Sequence, residues 1–361
     1  MRGRSEYMEW SKTRSQARFN LASSGVAGFP LAELPVRLED VELNGPSFYG
    51  YPPLLARLAR KCGVPEDCVL PATGTSMANF LVLAGLLEPG DEVLVEQPTY
   101  GPLVDAARFL RADVRRFSRR AEEDFRLDPA AVEAAVTSRT RLIVVTNPHN
   151  PSSAVADEAT VRRVAEIARA ARARVLVDEV YLEASAVLGE RRFTAFGLAP
   201  EIVVTSSLTK GYGLGGLRCG WALAEPDLVR RMWRLDDLMG VVPAHPAERL
   251  SIVALDHLDV VAARARRILV ENARTANAFL DSRPDLRAPR VTAGMLSFPK
   301  LLRGDVDELA RVLRDRYETS IVPGRFFEEP THFRVALGAL PEVVAEGLAR
   351  VGQALDSLDG R

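Results

Sequence analysis

Three short runs of apolar, mostly β-branched residues recur through the middle of the chain at a spacing of about thirty residues. They are Leu142-Ile143-Val144-Val145-Thr146, Val175-Leu176-Val177 and Ile202-Val203-Val204-Thr205. Each has the length and composition of a strand buried on both faces, and helical patterns separate them. The alternation, which extends from about Leu54 to Leu238, predicts an α/β fold, a mainly parallel sheet with helices on both faces. Crossover helices then bring the strands' carboxyl ends to one edge, where open α/β sheets hold their ligands. Asn147, Asp178 and Lys210 each follow such a run by a few residues.

Lys210 lies in Ser206-Ser207-Leu208-Thr209-Lys210-Gly211-Tyr212-Gly213-Leu214-Gly215-Gly216-Leu217-Arg218-Cys219-Gly220. A lysine held in a partly dry cleft has its ammonium form disfavoured, which frees the amine to attack carbonyls. That chemistry suggests a Schiff base with pyridoxal phosphate. The glycines at 211, 213 and 216 also spell G-x-G-x-x-G, the dinucleotide fingerprint, which needs a helix opening on the third glycine. The next strand-like segment, Gly220-Trp221-Ala222-Leu223-Ala224, begins only four residues later, so no crossover helix fits and the nicotinamide reading is rejected.

The neighbouring groups suit a pyridine ring. Its nitrogen must stay protonated for the ring to accept electrons, and a buried carboxylate at Asp178 holds that proton. A phenolic oxygen on the ring needs donors, which the Asn147 amide and the Tyr181 hydroxyl can supply. Thr73-Gly74-Thr75-Ser76 precedes the helix-like run Met77 to Leu86. Small hydroxyl residues and a glycine at a helix start make an anion seat from free N–H groups and the dipole.

Together, Ser207-Leu208-Thr209-Lys210 with its glycines and Arg218-Cys219-Gly220, Asn147-Pro148-His149-Asn150-Pro151, and Asp178-Glu179-Val180-Tyr181 resemble the class I/II aminotransferases, fold type I pyridoxal-phosphate enzymes. The resemblance runs from about Asn20 to the last helix. It implies that Lys210 forms the Schiff base with pyridoxal 5′-phosphate and that Asp178 partners the pyridine nitrogen. Asn147 and Tyr181 would bind the ring oxygen. Gly74, Thr75, Ser76, Ser207 and Arg218 would hold the phosphate, and Tyr100 would stack on the ring. It also implies a homodimer in which Tyr49, with Tyr51 as a near competitor, reaches the phosphate across the interface. Arg334 would grip the substrate carboxylate, with Asn147 nearby and the Gly25 backbone contributing. The implied activity is transfer of an amino group from an L-amino acid to a 2-oxo acid. A lyase or cyclase acting at the β or γ carbon is the alternative. Pro151-Ser152-Ser153 departs from the family's usual Thr-Gly, and no clear arginine serves a second substrate carboxylate, Arg249 lying on a helical face.

At 361 residues the chain exceeds one ordinary core. The expected division is an N-terminal segment, 1–40, that completes the small domain, a large cofactor-binding domain, 41–255, and a smaller α+β domain, 256–361. A long helical pattern from His245 to about Phe279 would bridge the two. With 47 basic and 48 acidic side chains, no net field favours nucleic acid or an anionic membrane. Cys62, Cys68 and Cys219 lack metal spacing and suit a reducing cytoplasm. No run approaches membrane-spanning length, and a pattern beginning near Asn20 leaves no room for a DNA-binding extension. The apolar stretch Met239–Val242 reads equally as a pocket wall or as a structural element.

Overall fold

The computed structural model describes residues 3–187, 194–292 and 294–359. Its centre is a seven-stranded sheet built from β1 (Val69–Thr73), β2 (Glu92–Gln97), β3 (Asp113–Ser118), β4 (Thr140–Thr146), β5 (Arg174–Asp178), β6 (Ile202–Ser207) and β7 (Cys219–Leu223). The spatial order is β1-β7-β6-β5-β4-β2-β3. Strands β3, β2, β4, β5 and β6 run parallel, and β7 is antiparallel to both of its neighbours.

Burial follows position in the sheet. The central strands β5 and β6 are covered along almost their whole length because helices lie on both faces, whereas the edge strand β3 alternates exposed and covered residues. Successive residues feed two separate cores: Ile143, Val145, Val175, Val177 and Val204 enter one, and Leu142, Val144, Leu176 and Val203 the other.

A second unit holds a small antiparallel sheet in which Phe333–Ala336 lies between Leu296–Ser297 and Val322–Pro323. Helices Val306–Tyr317 and Pro341–Asp359 pack there around Leu309, Phe333, Val335 and Leu348. Phe19 and Asn20 pair with Thr319 and Ser320, and Leu21 enters this core. Leu34, by contrast, packs in the large core, so the first forty residues are shared between the two units. The long helical pattern is two helices, His245–Asp256 and Leu258–Asp281. The second does bridge: Val261 enters the large core, while Ala273 and Ala276 enter the small one.

Met239–Val242 lines no described cavity. With Leu238, 83% exposed, these residues form an apolar loop facing outward in the single chain. No helix among the described residues is long and apolar enough to cross a membrane.

Candidate active site

The carboxyl edge of the sheet, closed over by the N-terminal segment, forms a cavity of about 230 Å³. It is lined by Lys210, Asp178, Tyr181, Tyr100, Ser207, Thr75, Ser76 and Arg218, so most of the polar groups singled out in the sequence converge there. Lys210 Nζ donates to Ser24 Oγ at 3.1 Å. Burial, with the Arg334 and Arg218 guanidiniums adding to it, lowers the ammonium's pKa to about 8, so roughly a tenth of the amine is free at pH 7.

Asp178 ends β5 with its carboxylate buried. Burial raises its pKa to about 6, against the lowering effect of hydrogen bonds from Asn79 Nδ2 (2.7 Å) and the Val180 N–H (3.0 Å). Asn79 is fixed in turn by Thr205, whose hydroxyl donates to its Oδ1 at 2.5 Å. Sequence reasoning missed this residue, although a lone amide inside the apolar run 77–86 is a legible signal. Tyr181 is buried against the cavity, and burial pushes its phenol up to about 12. It therefore stays a hydrogen-bond donor at any working pH.

The anion seat is built from backbone. Gly74 to Leu86 forms a helix, labelled α2 below, whose N-cap residue Thr73 makes no side-chain capping bond; the Gly74 N–H donates to the Arg218 carbonyl at 2.6 Å, which leaves the next N–H groups of the first turn for a ligand. Gly74 has φ +74°, and a Cβ there would land on the Arg218 guanidinium. A Cβ on Gly220 would land on the Gly74 backbone, so glycine alone lets β7 pass under the helix start. The Thr75 hydroxyl is buried without a partner, and Arg218 stands exposed at the mouth. Unfilled N–H donors, an orphaned hydroxyl and a guanidinium around one point fit a phosphate.

The structure places Asn147 beside the cavity's loop and not in its lining. Its Nδ2 donates to the Ala156 carbonyl at 3.1 Å and its Oδ1 accepts from the Ala156 N–H at 2.9 Å. Both ends of the amide are thus engaged in closing the loop, and Asn147 is not among the residues lining the cavity. Asn150, three residues on, does line it. Its N–H donates to Thr146 Oγ1 at 2.9 Å, and its Oδ1 accepts from Arg334 Nη1 at 2.9 Å. Two Asn-Pro pairs fall within five residues, and only the fold distinguishes them.

Arg334, on the Phe333–Ala336 strand, is 0% exposed. Nη2 donates to Tyr7 Oη at 2.8 Å and to the Ala22 carbonyl at 3.2 Å, while Nε has no partner. Among the described residues no carboxylate pairs with it. Gly25 lies beside the Lys210 stem, where an added Cβ would stand 3.9 Å from Cδ, and it is Ala22 that touches the guanidinium. Tyr100 lines the cavity and gives its hydroxyl hydrogen to Met8 Sδ at 3.3 Å. Tyr49 does not reach the cavity of its own chain. It is 44% exposed, edge-on to Trp233 at 5.5 Å and 4.6 Å from the Arg234 guanidinium. Tyr51 is tied down locally, against the His245 ring at 4.8 Å.

Behind the cavity lies an ion pair that the sequence did not announce. Glu96 and Arg119 meet at 2.8 Å with both side chains fully buried. Glu96 Oε1 also accepts from the Thr146 N–H (2.7 Å) and hydroxyl (2.6 Å), so the pair holds the residue on which Asn150 rests.

The chain is similar to known proteins along nearly its whole length. The profile of the family described as aminotransferase class I and II matches residues 38–351. A capreomycidine synthase from Streptomyces vinaceus is 30% identical over 96% of this chain and 92% of its own. A pyridoxal-phosphate-dependent aminotransferase structure from Streptococcus suis superposes with a TM-score of 0.90, covers 97% of this chain and 96% of its own, and is 25% identical. The pyridoxal-phosphate-dependent cyclase OrfR shares the fold, with a TM-score of 0.86 at 23% identity over 98% and 97% of the two chains.

Proposed function

Because the chain belongs to the class I and II aminotransferase family, we propose that it moves an amino group from an L-amino acid to a 2-oxo acid. Pyridoxal 5′-phosphate is its cofactor. When bound, the cofactor supplies an aldehyde that condenses with amines and a protonated ring that accepts electrons from a bond broken at the substrate's α carbon.

The observation that carries the proposal is the pairing of two unusual cations in one site. Lys210 is half-buried with its ammonium pKa lowered to about 8, and Arg334 is buried without a counter-ion among the described residues. A buried guanidinium lacking a carboxylate is costly to maintain, and an amino acid's carboxylate supplies the missing charge. Arg334 and Asn150 would then fix the carboxylate, and with it the direction of the α C–H bond. Lys210 Nζ would take the α proton and return it, as a base whose pKa lies near working pH. Asp178, held by Asn79 and Val180, keeps a proton on the ring nitrogen. The N-terminus of α2, Thr75, Ser76, Ser207 and Arg218 bind the phosphate and stop the ring from turning.

A second copy of the chain completes the arrangement. Phe48 (70% exposed), Leu43, Leu238, Val241 and Val242 are outward-facing apolar residues, of the kind that burial in a homodimer would cover. In that dimer Tyr49 would extend to the partner's phosphate. Three free cysteines suit a cytoplasmic location.

The rival reading retains the cofactor and ends in elimination or cyclisation at the β or γ carbon. Its support is that a relative 30% identical carries the name of a synthase. Supplying amino acids with 2-oxo acids and following the products separates the two. Formation of the paired amino acid supports transamination. Ammonia or a cyclic product, with no amine transferred, overturns it.

A further inference from the structure

The cavity stops short of the group that should hold the substrate. Arg334 is 0% exposed and is not among the cavity's lining residues, because Tyr7 and Asn150 stand in front of it. Asn150 is not free to swing: its backbone is fastened to Thr146, which Glu96 holds through two further bonds. Tyr7 is differently mounted. It sits on α1 (Glu6–Thr13), a short helix begun by Ser5 as N-cap and set beyond the strand at Phe19–Asn20. Its ring meets Tyr100, Phe326 and Phe327 at 5.6, 5.8 and 5.9 Å, and Trp10 meets Phe326 at 5.1 Å. Among the described residues no ion pair ties α1 to the rest of the protein; its one charged contact, Arg4 with Glu9, is internal.

We propose that the Tyr7 hydroxyl is a built-in stand-in for the substrate carboxylate, and that a carboxylate reaches Arg334 only by displacing this phenol and lifting α1. The proposal rests on the reading of Arg334 as the carboxylate seat. The phenol supplies one neutral oxygen where a carboxylate supplies two charged ones, and Nε together with one Nη1 hydrogen has no partner in the closed form. Exchange of the phenol for a carboxylate therefore gains charge-assisted bonds, and α1 is released because its contacts are apolar rings and a thioether, not salt bridges. The arrangement makes Tyr7 a specificity-determining residue. Ligands without a carboxylate leave the seat closed.

The test uses the cofactor-loaded enzyme and simple alkanoates from acetate to hexanoate, which carry the carboxylate but no amine and so cannot react. Tyr7→Phe removes the competing oxygen and keeps the ring. It should bind alkanoates about 3- to 10-fold more tightly than the wild type by calorimetry, the size of one ordinary hydrogen bond lost from the free state. In the wild type, saturating alkanoate should raise hydrogen–deuterium exchange in α1. Equal or weaker binding by Tyr7→Phe, or unchanged or slower exchange in α1, overturns the proposal; the exchange result stands even if the variant folds poorly. Arg334→Gln separates the two layers. Alkanoate binding that survives it defeats the carboxylate-seat reading itself, whereas binding lost there with Tyr7→Phe matching the wild type defeats only the displacement.

Discussion

Replacing Glu96 by glutamine should destabilise the protein far more than the loss of one surface charge would. The Glu96–Arg119 pair is fully buried, and burial pushes the carboxyl up and the guanidinium down in spite of their mutual attraction. Desolvation is thus the larger effect, and the pair is maintained only because each charge answers the other. Glu96→Gln keeps an oxygen for Thr146 but turns an amide donor toward a guanidinium that cannot lose its proton. Arg119 Nη2 already lacks a partner. An uncompensated buried charge costs about 3–5 kcal/mol. With an unfolding entropy of roughly 2.1 cal/mol/K per residue over 361 residues, each kcal/mol lowers Tm by about 1.3 °C, so the midpoint should fall by about 4–7 °C. Arg119→Met leaves the opposite problem, which a proton can solve. The Glu96 carboxyl, its folded pKa raised above the unfolded value, binds more protons in the folded state, so stability is present at low pH and lost as pH rises. The deficit of Arg119→Met against wild type should therefore shrink on going from pH 8 toward pH 5, while that of Glu96→Gln, which has no carboxyl to protonate, should not shrink. The double variant should be more stable than Glu96→Gln alone, since the stranded cation is gone. Calorimetry of cofactor-free protein reads all four proteins. Single variants that each cost under about 1 kcal/mol, or a double variant less stable than both, would refute the reasoning.

Other expectations concern the cofactor and substrate directly. Asn150→Ala should raise KM for the amino acid about tenfold, the cost of a lost bond to a charged group, while Asn147→Ala lowers Tm and leaves KM unchanged; the reverse pattern would restore Asn147 to the site. Gly220→Ala forces a methyl against the Gly74 backbone, so spectrophotometric titration should show cofactor affinity reduced by about 1–3 kcal/mol. Uptake of pyridoxal phosphate by the cofactor-free protein should accelerate as pH rises through about 8, because only the neutral Lys210 amine attacks an aldehyde. A rate flat across that range would contradict the lowered pKa.

The parts of this site carried by the sheet were legible in the sequence, and the parts carried by tertiary encounter were not. Runs such as Val175-Leu176-Val177 announce themselves because both faces of a central strand are dry, and Asp178 follows from where such a run must end. Gly74 and Gly220 are visible as glycines, yet their reason is a mutual approach of residues far apart in sequence. Asn147 and Asn150 share a residue type and a following proline, so the choice depends on which amide the loop turns inward. The Glu96–Arg119 pair joins β2 to the residue just after β3, and in sequence each looks like a solvated charge. Tyr7 offered no signal, since it is separated from Arg334 by almost the whole chain and joins it only when the first residues fold back over the second unit.

Four lysines occur in the chain, at positions 12, 61, 210 and 300, which makes the most direct test a mapping experiment. Borohydride reduction of the cofactor-saturated protein, followed by peptide analysis, should place a single pyridoxyl group on Lys210. A group on Lys12, Lys61 or Lys300 instead, or none at all on saturated protein, would contradict the account.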